Sequence, residues 1–149
     1  MISVIGLGTG GSAIAKKFGD IPQYDVYLLN EDIKKRSKRK FKLKNFKEPE
    51  DYEKNIPDVK DFFKDLKEHV QVYILGSSYS SNYSLGILEQ IKDKKIDVFY
   101  VKPDIELITG VPLLMENMAF RILQEYARSG LFNSITLFSN QEIENCVGD

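Results

Sequence analysis

Residues 2–12 read ISVIGLGTGGS, the most informative stretch of the chain for its fold. An apolar, β-branched run at residues 2–5 passes directly into glycines, and a helical pattern follows at residues 12–18. Glycine lets the backbone turn sharply and approach an anion, and a helix N-terminus offers unpaired N–H groups and a partial positive charge. A GxGxxG pattern in this strand–turn–helix context predicts a phosphate-binding turn. A tight turn without a ligand is the alternative.

Four further apolar runs, at residues 25–29, 70–75, 97–101 and 134–138, have the composition of strands. Their nearly continuous apolarity is typical of parallel strands that are buried on both faces. Helical patterns at residues 58–67, 85–92 and 112–128 alternate with them. This alternation predicts an α/β fold with three layers, in which helices cover a doubly wound, mostly parallel sheet of the Rossmann type. We expect residues 1–149 to form one domain.

Composition excludes several classes of function. The chain has 149 residues, a formal net charge of −1, one histidine and one cysteine. We therefore expect no metal site and no internal disulfide, which favours a cytoplasmic protein. Because the net charge is near zero and no apolar run approaches about 18 residues, we expect neither nucleic-acid nor membrane binding.

One segment departs from the even charge distribution. Residues 34–47 are rich in lysine and arginine, and residues 48–53 are acidic. This segment is either a phosphate- or polyanion-facing patch or a solvated, partly mobile connection whose charge its neighbour balances. We favour the connection, because few aromatic side chains interleave with the cations to stack on bases.

Several motifs resemble the N-terminal nucleotide-binding domain of the tubulin/FtsZ superfamily. The opening VIGLGTGGSAIAKKF is similar to the first phosphate loop of FtsZ, VIGVGGGGGNAV, and VYLLNED is similar to FIAVNTD. VYVKPDIEL stands where that family has VVTKPFxFEG, and the final SITLFSNQEIENCVGD resembles TLIVIPNDKLLEVVGD. The similarities follow the family's order along nearly the whole chain.

The resemblance implies a site for GTP or GDP, with or without bound Mg²⁺. Glu106 would contact the ribose and Asn140 the guanine. The phosphates would lie between two loops, the first formed by Gly6, Gly8, Thr9, Gly10, Gly11 and Ser12, and the second by Gly76, Ser77, Ser78, Ser80, Ser81 and Asn82. In a longer parent protein, this domain would be the nucleotide-binding half of a cytoskeletal, filament-forming GTPase, with self-association or a protein partner.

The chain also departs from the family. Serines and the bulky Tyr79 stand where the second phosphate loop is GGGTGTG, and each serine adds a Cβ where a phosphate would approach. The family's second domain, which supplies acidic residues for hydrolysis to the next subunit, would follow Asp149. We therefore expect this chain to hydrolyse GTP poorly on its own, and the sequence identifies no catalytic residue.

Two alternatives remain open. The chain could be a non-enzymatic scaffold or interaction module that keeps the fold without its nucleotide. It could also be a small NAD(P)-binding Rossmann domain, in which Asp32 or Glu31, about 20 residues after the glycines, binds the ribose hydroxyls.

Overall fold

A computed structural model describes residues 2–44, 46, 51, 54–75, 83–102 and 133–139. Within these residues, six strands form one sheet in which every pair of neighbours is parallel. Between the strands, the described residues include the α-helices α1 and α2 and one 3₁₀ turn. The elements are β1 Ile2–Leu7, α1 Gly8–Ala15, the 3₁₀ turn Lys16–Phe18, β2 Tyr24–Asn30, β3 Lys40–Lys42, β4 His69–Leu75, α2 Ser84–Glu89, β5 Lys95–Lys102 and β6 Ser134–Ser139.

The sheet confirms the predicted α/β class. Its strand order is β3-β2-β1-β4-β5-β6, the order of the dinucleotide-binding fold. All five predicted strands are present, each within two residues of its expected bounds. The predicted helix at residues 112–128 lies outside the described residues.

The side chains of β1 show how the sheet divides its core. Ile5 and Leu7 belong to a large apolar cluster on one face, and Val4 joins Ala15 of α1 and Leu28 in a smaller cluster on the other. All five of these side chains are buried. Since alternate residues of a strand point to opposite faces, burial of both sets requires a covering layer on each side of the sheet. Helix α1 covers β1, β2 and β4 on the face of the smaller cluster.

The opposite face is covered partly by residues 58–67, where the predicted helix is wrong. This segment forms turns, although Val59, Phe63 and Leu66 are buried as expected. The turns are held from outside the segment, because the Gln90 side chain accepts a hydrogen bond from the Val59 N–H at 2.9 Å and donates one to the Pro57 carbonyl at 2.9 Å. The half-buried Gln90 amide therefore fixes the start of this segment, whose apolar spacing resembles that of a helix.

The basic segment contains a strand that the sequence did not predict. Lys40 and Lys42 of β3 are exposed, and Phe41 between them is 7% exposed. Arg36 lies over the Phe41 ring, with its guanidinium carbon 4.2 Å from the ring centroid, and Arg39 lies over Tyr27 at 4.4 Å. The start of the segment is therefore attached to the sheet by cation–π contacts and a strand, and is not only a solvated connection.

Candidate functional site

The glycine-rich stretch forms the junction between β1 and α1. Gly8 has a φ of 77°, in the left-handed region that favours glycine, and the helix begins at this residue. The preceding Leu7 has an extended backbone and gives no side-chain cap to the first helical turn, which contains no acidic residue. Since the N–H groups of a first turn have no acceptor within their own helix, this turn has the geometry of an anion site at the carboxyl edge of the sheet.

Two other glycines of the motif serve the packing of α1 on the sheet. A Cβ built on Gly6 would lie 2.7 Å from both the Gly11 carbonyl oxygen and the Ser12 Cα. A Cβ built on Gly11 would overlap the carbonyl oxygen of Tyr73 in β4. The spacing of Gly6, Gly8 and Gly11 thus provides one turn and two close contacts between backbones. The packing role explains Gly6 and Gly11 without a ligand, whereas Gly8, Thr9 and Gly10 form the first turn of the helix.

Ser12 connects the helix to the end of β2. Its side chain is buried, and its hydroxyl accepts a hydrogen bond from Asn30 Nδ2 at 2.9 Å and donates one to the Gly6 carbonyl at 3.4 Å. The Asn30 Oδ1 in turn accepts a hydrogen bond from the backbone N–H of Asp32 at 2.9 Å. This chain of hydrogen bonds fixes the backbone of Asp32 beside the helix. Asn30 was not predicted as a site residue; its signal is a polar residue at the end of a buried strand.

A cleft of about 530 Å³ opens between α1 and the segment that follows β2. Ser12 and Asp32, both predicted site residues, line it together. We call it the lysine cleft, and it is lined by Ser12, Ala13, Lys16, Leu28, Asn30, Asp32, Ile33, Lys34, Lys35 and Lys40. Its four lysines and its aspartate are exposed, and Ser12, Leu28, Asn30 and Ile33 form a buried floor. The cleft therefore has an apolar and amide floor with a cationic rim, which suits a ligand with a flat polar body and an anionic group.

A second cleft, of about 460 Å³, lies at the carboxyl end of β3. Arg36, Lys42, Lys44 and Tyr83 are among its lining residues. The Tyr83 hydroxyl donates a hydrogen bond to the Lys44 carbonyl at 2.6 Å, which joins this end of the basic segment to the turn that opens α2. The basic segment thus contributes cations to two separate clefts.

Two tyrosines near the site have perturbed acidity. Burial raises the pKa of the Tyr73 hydroxyl, and neighbouring Tyr24 adds to the shift. Burial also raises the pKa of Tyr27, which the Arg39 guanidinium partly offsets. Both rings therefore stay neutral at physiological pH and act as packing groups, not as bases.

The remaining predicted site residues lie outside the described residues. These are Gly76, Ser77, Ser78, Ser80, Ser81, Asn82, Glu106 and Asn140. Within the described ranges, no group of three or more histidine, cysteine, aspartate or glutamate side chains is arranged to hold a metal ion. No helix among the described residues is both long enough and apolar enough to cross a membrane.

A scan against protein-family models finds no match, and a search of curated proteins returns none.

Proposed function

We propose that this chain binds a nucleotide at the carboxyl edge of its sheet, with the 5′-phosphates over the first turn of α1. The observation that supports this most directly is the junction at Gly8, where a strand passes into a helix within one residue of positive φ. The helix thereby presents its first N–H groups next to β1. The strand order of the sheet reverses at β1, with β2 and β3 on one side of it and β4 to β6 on the other. Ligands of open α/β sheets bind at such a reversal of strand order.

The resemblance to the tubulin/FtsZ superfamily supports a guanine nucleotide as the ligand. On this proposal, Glu106 holds the ribose and Asn140 holds the base. The serine-rich residues 76–82 follow β4, the neighbour of β1, and on this proposal they form the second phosphate loop. Its serine hydroxyls and backbone N–H groups would donate to the phosphates.

A second candidate is an NAD(P)-type dinucleotide, and the position of Asp32 favours it. Asp32 lies two residues after the end of β2, and its backbone N–H donates a hydrogen bond to Asn30 Oδ1. This is where an acidic residue accepts hydrogen bonds from the ribose hydroxyls in dinucleotide-binding domains. In this mode, the adenosine ribose would occupy the lysine cleft.

A pair of substitutions at Gly10 tests the phosphate site. Gly10 lies in the first turn of α1 and is half-buried. An aspartate there would stabilise the helix N-terminus and place a negative charge where the phosphates bind, so Gly10→Asp should fold and lose the ligand. Gly10→Ala is the matched control and should keep it. Titration calorimetry with GTP, GDP, ATP, NAD⁺ and NADP⁺, with and without Mg²⁺, measures both variants against the wild type.

Each outcome assigns the protein to a class. Binding of GTP or GDP that is lost in Gly10→Asp and weakened in Asn140→Ala supports the guanine-nucleotide domain. Binding of NAD(P)⁺ that is lost in Asp32→Lys supports the dinucleotide domain. If the wild type binds none of these ligands, the proposal is wrong and the non-enzymatic interaction module becomes the better interpretation.

A further inference from the structure

The second cleft, at the carboxyl end of β3, has a largely apolar lining. Its buried apolar side chains are those of Phe41, Leu43 and Tyr83. Ile56 also lines it and is the one exposed large apolar side chain among the described residues, at 37%. This side chain packs on α2, where a Cβ built on Gly86 would overlap it. A cleft of about 460 Å³ with such a lining has the size and the apolar surface of a small-molecule site.

Three cations line the same cleft together with one carboxylate. Arg36, Lys42 and Lys44 are exposed, and with Asp58 they leave the cleft a net charge of +2. None of the ion pairs in the described part of the chain includes one of these three cations. The Asp58 carboxylate instead accepts a hydrogen bond from the Lys60 N–H at 3.1 Å. The cleft therefore combines apolar surface with positive charge that no described ion pair neutralises.

Contacts with the apolar lining position two of these cations. The guanidinium carbon of Arg36 lies 4.2 Å from the centroid of the Phe41 ring, so one face of the guanidinium covers a ring of the lining. A stacked guanidinium still directs its N–H groups outward in its own plane, where an anion can accept them. The Tyr83 hydroxyl donates a hydrogen bond to the Lys44 carbonyl at 2.6 Å and fixes the backbone that carries this lysine.

The second cleft is separate from the proposed nucleotide site. Within the described ranges, it shares no lining residue with the lysine cleft or with α1. Phe41 and Tyr83 belong to the large apolar cluster, whereas Ala15 of α1 belongs to the smaller cluster on the opposite face of the sheet. A ligand in the second cleft would therefore not compete with phosphates at the first turn of α1.

We infer that the second cleft binds a small organic anion, independently of the nucleotide. The ligand has an apolar body and one carboxylate, sulfonate or phosphate group. The body packs against the buried lining and Ile56, while Arg36, Lys42 and Lys44 bind the anionic group. Cations beside apolar side chains attract an anion more strongly than cations in bulk water, because the medium between the charges screens them less. An uncharged apolar molecule would leave the three cations without a counterion, and an inorganic anion would leave the apolar lining without a contact.

A matched pair of fluorescent probes tests this inference. Anilinonaphthalene sulfonate and N-phenylnaphthylamine have the same ring system, and only the first carries a sulfonate. Fluorescence titration of the folded chain should give one site, with a dissociation constant about 10-fold or more lower for the sulfonate. Added salt should reduce this ratio, because it screens the attraction between the sulfonate and the cations.

Variants locate the probe within the protein. The double variant Lys42→Gln, Lys44→Gln should weaken binding of the sulfonate about 10-fold and leave binding of the neutral probe unchanged. The double variant Lys34→Gln, Lys35→Gln removes the same charge from the same segment at the lysine cleft and should change neither affinity. Ile56→Asn should weaken both probes, because it removes apolar contact. All five positions are exposed, and circular dichroism confirms folding.

Four outcomes would overturn the inference. The cleft does not bind an anion if the folded chain fails to bind the sulfonate, or if the neutral probe binds equally tightly. An equal loss in both double variants would show that the sulfonate responds only to the overall charge of the segment. Displacement of the sulfonate by a saturating nucleotide would make the cleft part of the nucleotide site, and the proposed function would stand. If no nucleotide binds, the proposed function fails, and the probes and variants alone decide this inference.

Discussion

Replacing Gly11 with alanine should destabilise the protein, whereas the same change at Gly10 should stabilise it. The two residues are neighbours in α1, but they face different surroundings. Gly11 is buried against β4, and an added Cβ would overlap the Tyr73 carbonyl oxygen and lie 3.1 Å from its carbonyl carbon. Gly10 is half-buried and has an ordinary helical backbone.

The magnitude follows from two opposing terms. Alanine favours a helix over glycine by about 1 kcal/mol, which benefits both variants. Overpacking costs about 1–3 kcal/mol, and the upper end applies at Gly11 because a backbone carbonyl in a paired strand cannot move aside as a side chain can. The expected net change is a loss of about 2 kcal/mol for Gly11→Ala, from a cost near 3 and a gain near 1. Gly10→Ala should gain about 1 kcal/mol.

Urea and thermal unfolding followed by circular dichroism measure this difference. For a domain of this size, 1 kcal/mol corresponds to about 2–4 °C, so the two variants should melt roughly 6–12 °C apart. If Gly11→Ala is as stable as the wild type, α1 does not pack as closely on β4 as described. In that case the motif's last glycine would be explained by ligand contact instead of by packing.

Three further predictions concern the hydrogen bonds and the core. Asn30→Ala should lower the free energy of unfolding by about 1–3 kcal/mol, because it removes the hydrogen bond that Asn30 donates to the buried Ser12 hydroxyl and the one that it accepts from the Asp32 N–H. The double variant with Ser12→Ala should cost less than the sum of the single changes in urea unfolding, and strict additivity would contradict the shared bond. Tyr27→Phe should leave stability at pH 7 unchanged or raise it by about 1 kcal/mol, since this buried hydroxyl has no hydrogen-bond partner among the described residues. Burial raises the pKa of Tyr27, so ionisation of this hydroxyl opposes folding. The wild type should keep its full stability below pH about 10 and lose stability as the pH rises through the folded-state pKa of Tyr27. An equal alkaline loss of stability in Tyr27→Phe would contradict this. Val72→Ala, at a fully buried position of β4, should cost about 2–3 kcal/mol in the same unfolding assay, and a cost below 1 kcal/mol would indicate a loosely packed core.

The central strands could be predicted because their sequence and environment agree. The run at residues 70–75 is almost entirely apolar, and in β4 it is covered on both faces. β3 could not be predicted in the same way. It has three residues, and lysines flank its one apolar side chain, so its composition resembles that of a solvated loop.

The helices were harder to delimit. The sequence placed the start of α1 at Ser12, because glycines disfavour helices, but the helix begins at Gly8. Contact with β1 and β4 requires the small residues and compensates for their low propensity. The predicted helix at residues 58–67 failed for the opposite reason: its apolar spacing is helical, but contacts with Gln90, which is distant in sequence, hold it in turns.

The candidate site was predicted in part. The glycine spacing identified the junction at Gly8, and the position after β2 identified Asp32. The rim of the lysine cleft was not predicted, because the lysines that form it come from α1, the segment after β2 and β3. These elements reach one surface only because α1 packs on the sheet and β3 pairs with β2. Sequence spacing does not show which cations of a basic run meet and which ones turn toward solvent.

The composition of β3 also affects how copies of this protein meet. β3 forms one edge of the described sheet, where a strand from another molecule could pair, although the Lys40 N–H and carbonyl are already bonded to Ser37 at 3.4 and 3.0 Å. A second copy that approached in this way would bring Lys40 and Lys42 against their own counterparts, and the repulsion between like charges opposes such an encounter. This protection is electrostatic and therefore depends on ionic strength. In about 1 M salt, where charges are screened beyond about 3 Å, the same edge becomes the place where copies would first join into a continuous sheet.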